Sequence, residues 1–293
     1  MLSEKERPGD DRKRAGGIAG GACRMTSKYW RAWVLCALLA PALARADSAR
    51  EMLDQAKVVN DAREPKDTSE RTKMILVDSR GGERVRDLQV YEKSAGRRAR
   101  KTIIFFLSPP EVKGVGFLSW SYPEKDDDQW LYLPELKRVR QISGATRKQS
   151  FQGSDFTYDD LELFDDIRDW TEEEAASKLI REGDAFDGVT CAVIELVPRG
   201  RDYEYARFVL WLDREDSTFR KIELYDKKTS ELAKTLTLAG FETVGRVPTP
   251  HRIEMTNFKK GTKTILEISD VRYDRGLGDD VFTERTLERG KVD

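Results

Sequence analysis

The chain has 293 residues, 39% hydrophobic and 36% charged, with 52 Lys/Arg against 53 Asp/Glu and a formal net charge of −1. This balance lacks the basic excess that nonspecific nucleic-acid binding needs. Of the three cysteines, Cys23 and Cys36 precede residue 47, so the later chain has only Cys191 and must rest on its core rather than on disulfides.

Residues 1–24 are polar, charged and Gly-rich without an apolar period, which predicts a disordered stretch or a mis-assigned upstream extension. From Met25 the sequence reads MTSKYWRAWVLCALLAPALARADS. Lys28 and Arg31 give a positive start, Ala32 to Leu43 an apolar core broken by Pro41, and Ala44-Arg45-Ala46 an A-x-A site. The layout predicts a signal peptide over 25–46, a start at Met25 and a mature chain from Asp47. The apolar run is shorter than the ~20 residues that span a bilayer, and an uncleaved anchor is the alternative. Cys36 follows the bulky Leu35 where a lipid-attachment box has a small residue, so the expectation is a soluble exported protein. Removing the leader takes away more bases than acids and leaves a mildly acidic remainder.

The first element after the leader is a helix capped by Ser48, with Met52, Leu53, Ala56 and Val59 at helical spacing and a stop at Glu64-Pro65. Strands follow. RTKMILVDSR and ERVRDLQVYEKS flank Gly81-Gly82, Ile103 to Leu107 form a buried run closed by Pro109-Pro110, and VGFLSW and DQWLYLPE flank a polar turn. Further on, GVTCAVIELVPR, YEYARFVLWLDR, TFRKIELYDKK, LAKTLTLAGFETV, HRIEMTNFKK and TKTILEISDVRYD repeat the pattern. Each is rich in β-branched and aromatic residues and ends at a turn signal. Short helices are predicted at Tyr158 to Phe164, capped by Asp155 or Ser154, and at Asp280 to Glu288, capped by Asp279 or Asp280. WTEEEAASKLIREG reads two ways, as a helix with a Thr171/Glu174 capping box or as the start of a strand turning at Asp187-Gly188. The fold class is therefore mainly β: a curled antiparallel sheet with a few short helices, in one domain over 47–293.

The pattern contains little that does chemistry. His251 is the sole histidine, so no His-rich metal site forms, and no G-x-S-x-G elbow, Walker A or G-x-G-x-x-G is present. A Cys191/His251 dyad is the one hydrolase reading, set against a buried Cys191 in VTCAVIEL. Asp126-Asp127-Asp128 lacks calcium-loop spacing and reads as a hairpin turn. The basic residues Lys137, Arg138, Arg140, Arg147 and Lys148 precede an acidic stretch over 155–169, and the two partly pair. The expectation is a protein that is not an enzyme and uses no metal, cofactor or nucleic acid.

A more specific pattern runs from Phe117 to Leu161. It comprises Phe117-Leu118-Ser119-Trp120, Trp130-Leu131-Tyr132-Leu133-Pro134, the Arg-rich strand Arg138 to Ile142, and FQGSDFTYDDL from Phe151. With VLWLDREDSTFRKIELYDKK and GLGDDVFTERTLE later on, it resembles the outer-membrane lipoprotein-sorting protein family, the LolA/LolB-like periplasmic carriers. Within that family it resembles the branch that often accompanies transporters of the resistance-nodulation-division superfamily. The resemblance implies a half-open β-barrel with helices across its mouth and an apolar cavity for acyl chains. The implied protein is a periplasmic monomer that shuttles a lipid or lipidated protein, with transient membrane contact and no catalytic residues. Phe105, Trp120, Trp130, Tyr132, Phe151, Phe156, Phe208 and Trp211 are the cavity candidates, each also readable as ordinary core. The alternative is a non-enzymatic accessory subunit that docks on an inner-membrane transporter, with Arg138, Arg140 and Asp155 as its docking candidates.

Overall fold

A computed structural model describes residues 41–292 apart from positions 97, 124, 201 and 202. The expected leader lies outside the described residues up to position 40. The helix after it, α1 (Pro41–Arg63), starts before the predicted cap at Ser48 and stops before Pro65, as that proline requires. Its buried face is Ala49, Leu53 and Ala56, a 3–4 spacing that puts all three on one side.

The first half of the chain is a run of hairpins: β1 (Asp67–Val77), β2 (Glu83–Ser94), β3 (Arg100–Ser108), β4 (Gly116–Ser121), β5 (Asp128–Leu133) and β6 (Arg138–Ile142). A connection follows, with short 3-10 turns at Gly144–Lys148, Phe151–Gly153 and Ile167–Asp169 around α2 (Tyr158–Asp166). The second run of hairpins is β7 (Ala175–Phe186), β8 (Val189–Pro198), β9 (Tyr205–Asp213), β10 (Phe219–Asp226), β11 (Leu232–Val244), β12 (Val247–Asn257) and β13 (Thr262–Tyr273). The short α3 (Glu284–Arg289) ends the described chain. The ambiguous 170–183 stretch is a strand and not a helix, with a turn before it. Thr171 and Glu174 make the capping contacts, with Glu174 accepting from the Thr171 amide at 2.8 Å, and β7 then begins.

All strands lie in one antiparallel sheet of order β6-β5-β4-β3-β2-β1-β13-β12-β11-β10-β9-β8-β7. Every neighbour is a sequence neighbour except at the junction, where β1 pairs with β13 from Thr68↔Tyr273 to Val77↔Lys263. The sheet does not close: β6 and β7 remain its two edges. Exposed Arg138, Arg140 and Gln141 on β6, and Arg181 and Glu182 on β7, blunt those edges against further pairing.

Side chains alternate between the two faces. On the inner face Phe106, Phe117, Leu131, Ile194, Phe208, Leu210 and Leu224 join the main core, into which α1 and the 151–170 connection also pack. On the outer face α3 covers a second cluster of Ile103, Phe105, Leu118, Val281, Phe282 and Leu287. Cys191, Val193, Val209 and Trp211 form a third. The unbroken run Ile103 to Leu107 has this cause: β3 is covered on both sides, so neither parity is polar.

Two predicted caps move. Thr157, not Asp155 or Ser154, caps α2, and its hydroxyl accepts from the Asp160 amide at 3.0 Å while the Asp160 carboxylate accepts from the Thr157 amide at 2.8 Å. Asp at the third helical position completes the box where Glu or Gln is the usual signal. Thr283 caps α3, and Asp279 and Asp280 sit in a separate 3-10 turn.

Candidate functional site

The inner face is not filled evenly. Between the sheet and α2 lies a cavity of about 270 Å³. Its wall is aliphatic and aromatic: Ile104 and Phe117 from β3 and β4, Leu236 and Leu238 from β11, Ile253 from β12 and Leu266 from β13. Its roof is the connection, through Phe156, Leu161 and Phe164. Ile104, Leu161, Phe164, Leu238, Ile253 and Leu266 all keep partial solvent exposure, so apolar surface faces an open space. Such a surface is stabilised by whatever covers it.

Three carboxylates punctuate the lining: Glu92 and Asp127 in the wall and Glu162 in the roof. Each has a partner. Arg100 Nε lies 3.1 Å from Glu92, Ser121 donates to Asp127 at 2.7 Å, and Arg147 is in close ion contact with Glu162. Arg147 also bonds Asp159 at 2.9 Å and the Asp127 carbonyl at 2.9 Å. The basic and acidic stretches of the sequence therefore pair through Arg147, which also ties the connection to the residue before β5.

The roof is fastened at other points too. The Asp155 carboxylate accepts from Thr262 and Thr264 of β13 at 2.5 and 2.9 Å. Buried Asp160 accepts from Lys234 Nζ of β11 at 2.6 Å and from the Tyr205 hydroxyl of β9 at 2.7 Å. Burial, with Asp160 alongside, keeps that phenol protonated well beyond its ordinary range. Phe151 packs against Phe117 and Tyr158 with ring centroids 5.2 and 5.5 Å apart. Beyond Glu92, the inner face carries Glu70 beside Thr68, Val90, Val247 and Tyr273. Burial, reinforced by the negative charge of Glu92, pushes the Glu70 carboxyl up to about 7. Nearby, burial opposes ionisation of Glu64, but Arg168 and Arg100 win and hold it below the usual carboxylate range.

The aromatic cavity candidates divide by face. Phe156 lines the cavity, Phe151 supports its roof, and Phe208 lies deep in the inner core against Trp170 and Tyr205. Phe105, Trp120, Trp130 and Tyr132 lie on the outer face with α3, where Trp120 Nε1 donates to the Phe282 carbonyl at 3.0 Å. Trp211 also faces outward, bonding Asp184 at 2.8 Å. Of the docking candidates, Arg138 and Arg140 stand exposed on edge strand β6, whereas Asp155 is buried as the latch to β13. The aliphatic wall, which sequence reading missed, had one available signal: Leu236 with Leu238, and Ile104 with Phe106, share a parity.

Cys191 is fully buried, and that burial raises its thiol to about 11. His251 sits on β12 with Nδ1 2.8 Å from the Ile268 carbonyl, four strands from Cys191 on β8. Among the described residues no group of three or more His, Cys, Asp or Glu could hold a metal ion, and no helix is long and apolar enough to cross a membrane.

The chain thus folds as an unclosed antiparallel sheet with a helical connection over its inner face and an apolar cavity between them. A family model described as an uncharacterized protein matches residues 98–289. A domain from Vibrio parahaemolyticus, named for outer membrane lipoprotein sorting, is 30% identical with a TM-score of 0.74, covering 83% of this chain and 100% of that one. A DUF1329 family protein from Desulfovibrio piger is 28% identical with a TM-score of 0.74, over 83% and 99%. A LolA superfamily protein from Nitrosomonas europaea, 22% identical with a TM-score of 0.60 over 81% and 98%, shares the fold. No curated protein matches the chain. The chain belongs to the outer membrane lipoprotein-sorting protein family.

Proposed function

We propose that this protein is a non-enzymatic periplasmic carrier that takes acyl chains of a lipid or lipidated protein into the cavity beneath α2. The observation that carries the reading is the row of partly exposed apolar side chains facing an unfilled space of about 270 Å³. Each acyl methylene buried there contributes about 0.8 kcal/mol. The space lies just below the roughly 300–1,000 Å³ of drug-sized ligand pockets. A full acyl chain therefore requires α2 to lift, and both the polar latches at Asp155, Asp160 and Arg147 and the apolar packing of Tyr158 and Leu163 hold that helix down. We read residues 25–46 as the cleaved leader that delivers it, and residues 47–293 as the carrier domain.

The test is native mass spectrometry of the protein recovered from a bacterial periplasm without detergent, followed by lipid extraction. A stoichiometric acyl ligand is expected, and it should vanish when Leu238 or Ile253 becomes Asp while circular dichroism stays unchanged. A protein that emerges empty and stays empty after incubation with envelope lipids would sink the reading.

A further inference from the structure

At one end of the sheet, the β10–β11 and β12–β13 hairpins and the residues before β9 surround a groove of about 510 Å³ with the Lys148 end of the connection. Six lysines line it: Lys148, Lys227, Lys228, Lys234, Lys259 and Lys260. Glu204 and Asp226 are its acids. Asp226 is occupied by the turn it makes, accepting from the backbone N–H groups of Lys228 and Thr229 at 2.7 and 2.9 Å. All the lysines but Lys234 are exposed. The whole chain has a net charge of −1, so composition alone does not account for this concentration.

A second observation sits beside it. Phe258, 53% exposed, projects at the β12–β13 turn immediately before Lys259 and Lys260. It is held in place, because its amide donates to the Ala233 carbonyl of β11 at 3.0 Å. An aromatic ring offered to solvent among lysines is the arrangement that suits a charged interface with an apolar layer behind it.

We propose that this groove and Phe258 form the docking surface for an anionic phospholipid membrane, the lysines meeting lipid phosphates and the ring entering the headgroup–acyl boundary. A small free anion fits less well, since the one buried lysine, Lys234, is already held by Asp160. The placement also joins the two ends of a transfer. Thr157, which caps α2, lines the groove, and Phe156 beside it lines the cavity. The proposal deepens the carrier reading and rests on it for its purpose, but the surface is testable by itself.

The experiment is co-sedimentation with phosphatidylglycerol-containing vesicles and with pure phosphatidylcholine vesicles, at low and high salt. Binding to the anionic vesicles alone, weakened by salt, is expected. Each lysine near such a surface is worth roughly fivefold, so K227E/K228E/K259E/K260E should bind at least about 100-fold more weakly. Phe258→Ala should bind several-fold more weakly with its salt dependence intact, and Lys→Gln versions serve where charge reversal disturbs folding. Equal binding to both vesicle types, or unchanged binding by the quadruple variants, overturns the proposal. So does wild-type capture by an acidic peptide matrix but not by vesicles, which would assign the groove to a protein partner. Native mass spectrometry of the same variants separates the two readings: an acyl ligand without vesicle binding removes the docking surface, and vesicle binding by an empty protein removes the carrier.

Discussion

Lys234 and Asp160 are the residues on which the roof's energetics turn. Both are buried, 2.6 Å apart, and Asp160 also holds the α2 cap and the Tyr205 hydroxyl. Removing one member of a buried pair strands the other, which costs about 3–5 kcal/mol. Lys234→Met should lower the urea midpoint accordingly, and adding Asp160→Asn should recover part of the loss, because no unpaired charge then remains. Glu70 works in the opposite sense. Its carboxyl titrates near 7 in the folded protein against an ordinary value of 4.5, so folding disfavours its ionised form. The penalty is absent below the unfolded value, grows as pH rises from about 4.5 to 7, and is complete above that. Glu70→Gln should therefore stabilise the protein by about 1–2 kcal/mol at pH 8, allowing for the side chain's partial exposure, and do almost nothing at pH 4. Denaturation curves at the two pH values check this, and equal effects at both would rule it out.

At the scale of elements, α2 is a nine-residue helix tied down by polar latches. Asp155→Ala removes both carboxylate bonds to β13, leaving the Asp155 amide bond to Thr264, and Thr157→Ala removes a cap worth about 1 kcal/mol. Either change should speed amide hydrogen exchange over residues 151–166 while the inner strands β1 and β13 stay protected, a local opening below global unfolding. Exchange that rises equally in those strands would mean that the connection and sheet open together. The elements themselves were largely legible, because strands with alternating faces and hairpin turns are set by local pattern: β2 begins and ends where ERVRDLQVYEKS does. The faces were half legible. Parity groups Phe105 with Leu107, and Trp130 with Tyr132, but which parity points inward depends on how the sheet curls and on α3 covering the outside. No residue of β4 or β5 encodes that choice locally. Phe105, Trp120, Trp130, Tyr132 and Trp211 thus drew attention to the wall's outer side, while modest aliphatics on β11 to β13 line the space within beside Phe156.

Among the described residues the sheet is two meanders joined along β1 and β13, with its free edges at β6 and β7. Only that ladder joins the halves within the sheet, yet the connection between β6 and β7 bonds to both: Phe151 packs on Phe106 and Phe117 of the first half, and Asp155, Asp160 and Tyr158 reach the second half or β4 and β5. The connection is thus both the cavity's roof and the brace of an unclosed barrel. On the proposed carrier function, a ligand beneath it would replace lost roof contacts with its own. It should stabilise the native state by RT ln(1 + [L]/Kd), about 2.7 kcal/mol at a hundredfold excess over Kd. Phe151→Ala, which empties the brace's centre, should cost about 3–5 kcal/mol in ligand-free protein. Acyl ligand should restore more of that loss than it adds to the wild type, because the chain fills part of the vacated space. Thermal melts of wild type and variant, each stripped and then reloaded, measure both increments. If ligand raises the two proteins equally, brace and cavity are independent, and the roof would not be the element that senses cargo.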